Sequence, residues 1–121
     1  MPYPYVPPWH HKFMTVQIED VSTAGQKFFT PGFSGKIRKI HSSINGVIAT
    51  ADVDLTAKIG GVAVTGGVIT VTASGSAAGD SDSATPTANN SFTDSQSIEI
   101  ETDGASTNTV EGVITFELVP S

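Results

Sequence analysis

The sequence predicts an all-β fold, a β-sandwich of jelly-roll-like form led by an extended N-terminal arm. Three observations carry that expectation. Short runs alternate apolar and polar residues with period two, as in "VDLTAKI" at 53–59 and "VEGVITFEL" at 110–118. Glycine dipeptides and Asp-Gly punctuate them, as at Gly60-Gly61, Gly66-Gly67 and Asp103-Gly104. Between residues 60 and 110, 31 of 51 residues are Gly, Ala, Ser or Thr, a composition that suits closely spaced strands and polar turns. No stretch carries a helical period.

The elements follow in order. Residues 1–12 read as the arm: Pro2, Pro4, Pro7 and Pro8 remove backbone donors and favour polyproline II. "FMTVQIE" starts the first strand, with Phe13, Thr15 and Gln17 on one face and Met14, Val16 and Ile18 on the other. "QKFFT" precedes a turn at Thr30-Pro31-Gly32. In "KIRKIHSSI", 36–44, parity places Arg38 with Ile40, Ser42 and Ile44, and Asn45-Gly46 then signals a tight hairpin. "VDLTAKI", "VAV" and "VITVT" read as strands separated by glycine turns. Residues 73–91 lack large apolar side chains and read as a long exposed loop or an extended excursion. "SIEIET" and "VEGVITFEL" close the chain. The expected core rows include Val53, Leu55, Ile59, Ile69, Val71, Ile98, Ile100, Ile114, Phe116 and Leu118. The expected division is an arm with the first-strand region at 1–33, then a sandwich domain at 34–121.

Charge and aromatics are unevenly placed. Net charge is −6, but residues 1–50 hold five Lys/Arg against two Asp/Glu (+3), and residues 51–121 hold one Lys against ten (−9). An acidic domain is a poor nucleic-acid binder, although a basic front can orient it on a partner. Seven of nine aromatics lie in the first 33 residues, so this third either folds back into the core or carries contact area for a partner. The absence of cysteine excludes disulfides and thiolate metal sites. No apolar run approaches the ~18 residues of a membrane helix, and the first residues lack the basic-then-apolar order of a signal peptide. The expectation is a soluble protein made in a cytoplasm, with no membrane partner.

Little in the chain points to catalysis. His10, His11 and His41 have no nucleophile motif around them. Successive His10 and His11 point apart in an extended chain. Asp80 and Asp82 in "GDSDS" have the spacing of two calcium ligands, but the further ligands and central glycine of a calcium loop are missing. Asn89-Asn90-Ser91 matches a glycosylation acceptor without a secretion signal. Lys36, Arg38 and Lys39 form the basic cluster, read either as a solvated strand face or as a basic contact. Neither a metal nor a cofactor is expected.

The stretch from Gly35 to Pro120, carried by "TAKIGGVAVTGGVITV", "GSAAGDSDSATPTA" and "TDGAST", resembles the small β-sandwich head-decoration, or cement, proteins of tailed bacteriophages. It departs from them at Asp94-Ser95-Gln96, which stand where such sequences have a Gly-Asp turn. The resemblance implies a structural virion protein, not an enzyme. It would sit on the capsid exterior, bound to the major capsid protein and to itself as a homotrimer. An N-terminal extension contacting the shell is part of that pattern, so Tyr3, Tyr5, Trp9 and Phe13 become the expected anchors. Similar sandwiches in phage fibres imply an alternative, an adhesin domain that binds a host surface glycan.

Overall fold

A computed structural model describes residues 10–121, so Tyr3, Tyr5 and Trp9 lie outside the described residues. The described chain is all-β, two antiparallel sheets packed face to face. Nine strands occur in it: β1 (Lys12–Ile18), β2 (Gly25–Phe29), β3 (Gly35–Ile44), β4 (Val53–Ile59), β5 (Val62–Val71), β6 (Ser81–Ala84), β7 (Ser91–Phe92), β8 (Ile98–Thr102) and β9 (Gly112–Pro120). The first sheet runs β1-β9-β3-β6, with β7 also on β3; the second runs β2-β8-β4-β5. Among these, only the β4–β5 and β6–β7 connections stay within one sheet. β1 and β2, which precede residue 34, are edge strands of the two sheets.

The longer strands β3, β4, β5 and β9 each bury an apolar row on one side. All ten expected core residues are buried, joined by Ile18, Val21, Ile37, Ile40, Ile44, Ile48, Val64, Phe92 and Val110. The early aromatics divide. Phe29 packs edge-to-face on Phe116 at 5.2 Å, and Phe33 on Phe92 at 5.7 Å. Phe13 and Phe28 stay exposed.

Several local expectations are corrected. Arg38 does not share the inward face of Ile40. Ile37 pairs with Leu118 and Lys39 with Glu117, so Arg38 is an extra residue in a bulge. A bulge resets the alternation, which lets both Ile37 and Ile40 face inward and turns Arg38 outward. Asn45-Gly46 does not make a hairpin either. The chain leaves β3 for the other sheet, and sheets packed ~10 Å apart cannot be joined by a two-residue turn. Ile48 instead plugs the core along the crossing. Gly66-Gly67 is not a turn between strands but lies within β5, where the register jumps from Thr56–Val68 to Lys58–Ala63. There the Thr65 N–H donates to the Ala88 carbonyl at 3.0 Å, and the Thr87 N–H donates to that of Thr65 at 2.9 Å. Gly60-Gly61 does form the expected tight turn, with φ of 56° and 83°, values that type I′ hairpins require. The 73–91 segment is an extended excursion whose β6 and β7 pair with β3.

Asp20 fastens the end of β1 to the loop before β9. Its carboxylate accepts from the Ser22 N–H at 3.0 Å, the Thr23 hydroxyl at 2.7 Å and the Val110 N–H at 3.1 Å. The Thr23 hydroxyl bond is the largest cause holding the Asp20 carboxyl below its ordinary value; slight burial opposes it. A depressed native pKa gives stability that is present above the unfolded value (near 3.9) and lost as pH falls through the native one. Asp20→Asn is therefore expected to flatten the acid limb of a denaturation-midpoint profile between about pH 5 and pH 2. An acid limb as steep as the wild type's would show that other carboxylates set it.

Candidate interaction surface

Alternation sends a second row of each strand to the outer faces, and the outer face of the first sheet gathers several expected contact residues. Phe13 on β1, Glu117 on β9 and Lys39 on β3 lie directly opposite one another. Glu117, with its side chain 12% exposed, organises the cluster. His11 Nδ1 lies 2.6 Å from its Oε2, and Arg38 Nη1 donates to its Oε1 at 3.1 Å. The bulge in β3 makes this possible by aiming the Arg38 guanidinium across the sheet. Lys36 is exposed two positions earlier, opposite Val119 and Ser91. Phe13 is 60% exposed and stands at the root of residues 1–9. The result is an aromatic ring among basic side chains on an otherwise acidic protein.

The other residues weighed in the sequence do not converge. His41 is half-buried opposite Thr115 in the next row of the same face. Asp80 closes a turn, accepting from the Ala77 N–H at 2.9 Å, while Asp82 lies on β6 opposite Ser42. Among the described residues, no three His, Asp or Glu side chains group as a metal site would need. Asn89 is exposed, and its amide donates to the Thr65 hydroxyl at 3.2 Å.

The second sheet holds residues that sequence reasoning passed over. Its outer face carries Gln26 and Phe28 on β2, Glu99 and Glu101 on β8, and Thr56 and Lys58 on β4, in register across the strands. Lys58 Nζ lies 2.9 Å from Glu101 Oε1. Hydrogen bonding from Lys58, then from Gln26, holds the Glu101 carboxyl below its ordinary value, and Glu101 raises Lys58 in return. Glu99 is 6% exposed, and its Oε2 is buried with no hydrogen-bond partner. The strict alternation of "SIEIET" was the available signal, since it puts both glutamates opposite the core side.

Beside this face, a cleft of about 290 Å³ opens between edge strands β1 and β2. Ile18, Ile100 and Thr102 line it, with Glu19, Gln26 and Lys27 among its polar groups. Lys27 Nζ lies 2.9 Å from Glu19 Oε1, and that bond is the main cause of a lowered Glu19 pKa.

No family model matches this chain, and no curated protein matches it in sequence. Solved structures resemble it in shape. The catalytic domain of a GH87 α-1,3-glucanase in complex with nigerose aligns over 88% of this chain with a TM-score of 0.52 and 14% identity. This chain spans only 22% of that domain. CsCBM6-3 from Clostridium stercorarium, in complex with cellobiose, aligns over 97% of this chain and 86% of its own, with a TM-score of 0.52 and 12% identity. The likeness is one of fold alone, and the fold is that of a two-sheet antiparallel β-sandwich.

Proposed function

We propose that this protein is a non-catalytic docking module, a decoration protein on the outer surface of a tailed-phage head. One observation carries the reading from the structure: Phe13, Arg38 and Lys39 meet around Glu117 on one sheet face, where the aromatic N-terminal segment joins it. An exposed aromatic with flanking cations is the composition of an interface anchor and its polar rim. The phage assignment, the major capsid protein as partner, the homotrimer and the virion location rest on the sequence resemblance over Gly35–Pro120. The net −9 of residues 51–121 leaves the protein acidic, which resists non-specific association.

Copy number separates this reading from an adhesin domain. Quantitative mass spectrometry of purified virions is expected to find copies in proportion to the major capsid protein; a few copies per particle would favour the adhesin. Surface residues test the contact itself. Phe13→Ala combined with Lys36→Glu is expected to weaken capsid binding by roughly 30–150-fold, at about 1–1.5 kcal/mol for each anchor. Both side chains are exposed, so the thermal midpoint should hardly move. Undiminished co-sedimentation of the double variant with undecorated capsids would remove this face from the contact.

A further inference from the structure

We infer that the cleft between β1 and β2, with the Phe28 ring beside it, binds a neutral oligosaccharide of two or more residues. The cleft's volume of about 290 Å³ stands at the small end of ligand pockets, room for one ring rather than a folded peptide. Its floor is aliphatic, from Ile18 and Ile100. Three polar groups in it are already engaged: Asp20 by the three donors described above, the Thr23 hydroxyl as one of those donors, and the Thr102 hydroxyl, which donates to the Val21 carbonyl at 2.6 Å. Glu19, Lys27 and Gln26 remain, an acceptor, a donor and a group that is both.

That set suits hydroxyl groups. The Glu19–Lys27 pair is neutral as a unit and solvent-exposed. A charged ligand would have to break it, whereas a hydroxyl donates to the carboxylate and accepts from the ammonium at once. Gln26 sits where the cleft meets the outer face, and its amide donates to Glu101 at a long 3.3 Å, a bond readily exchanged for a ligand's. Phe28 follows two residues on along β2, on the same face as Gln26 and about 7 Å away at strand rise. It is 59% exposed and takes no part in the core. A second ring leaving the cleft would lie over it and cover apolar surface that water now wets. Opposite Phe28 on β8, Glu99 Oε2 is buried without a hydrogen-bond partner, an unused acceptor next to the ring.

Arg38 and Lys39 are not among the residues that line this site, and it does not depend on the docking reading. The test is a printed array of neutral and acidic glycans, probed with the wild type, Lys27→Ala, Gln26→Ala and Phe28→Ala. The expected result is capture by neutral glycans, weakened about tenfold or more in each variant, a loss of about 1.4 kcal/mol. Amide NMR of each variant checks that it folds, and with a captured glycan the wild-type shifts should centre on residues 18–28 and 98–102. Phe28→Ala should weaken a trisaccharide more than the corresponding monosaccharide. Capture of no glycan, capture of acidic glycans alone, variants that bind like the wild type, or shifts centred elsewhere would each overturn the inference. The Phe13→Ala/Lys36→Glu protein should bind the same glycans undiminished, so failure of the docking reading and failure of this one are told apart.

Discussion

Phe116→Ala is expected to cost about 3–5 kcal/mol, the loss usual for a fully buried aromatic. Phe116 is 0% exposed on β9, an interior strand of the five-stranded sheet, opposite Met14 on one side and Ile40 on the other. Its ring also meets Phe29 from the second sheet, so truncation opens a void between the layers as well as within one. Neighbours are strands pinned by ladders on both flanks, which limits collapse into the space. A domain of this size has a stability of order 5–15 kcal/mol, so the variant should sit near the edge of folding at 37 °C. Urea denaturation followed by tryptophan-independent far-UV signal is the measurement. A loss under about 1 kcal/mol would mean that the layers close over the gap.

Gly104→Val should be as damaging through the backbone rather than the core. Gly104 has φ of +69°, in the left-handed region that a β-branched residue rarely adopts. A Cβ there would stand 2.4 Å from the Ala24 nitrogen and 2.9 Å from its Cα. Those atoms belong to the turn that enters β2, so relief requires the β1–β2 and β8–β9 connections to separate. Strain alone contributes roughly 1–2 kcal/mol, and the collision adds more. The thermal midpoint is expected to fall by at least about 10 °C, and Gly104→Ala by less. A Gly104→Val protein melting within 2 °C of the wild type would refute the close approach.

These two residues also mark what was legible in the sequence. Phe116 shows as core because Ile114, Phe116 and Leu118 share one side of β9 while Thr115 and Glu117 between them face the other. Asp103-Gly104 shows as a turn from its dipeptide. Its contact with Ala24 does not show, because it joins segments 80 residues apart. The same limit explains Arg38 and Asn45-Gly46. A bulge is set by register with a distant partner, and a hairpin signal fails when the next strand belongs to another sheet. The cluster on the first sheet was partly legible: Phe13, Arg38 and Lys39 each show in the sequence, but Glu117, which lies between them, does not. The cleft was invisible, since its walls come from β1, β2 and β8 and no local pattern links them.

The place of β9 has a consequence for how the protein comes into being. It lies between β1 and β3, whose residues are made about a hundred and about seventy-five positions earlier. During synthesis β1 therefore has no partner and β3 only those on one flank until residues 112–120 have left the ribosome, and β2 likewise waits for β8. The β4–β5 hairpin is the one pairing between consecutive strands, able to close in about 1–10 μs. Every other pairing must bring distant segments together, which places folding in the millisecond-to-second range. The nascent chain spends that interval with its apolar rows unpaired, and the 73–91 segment adds no large apolar side chain to them.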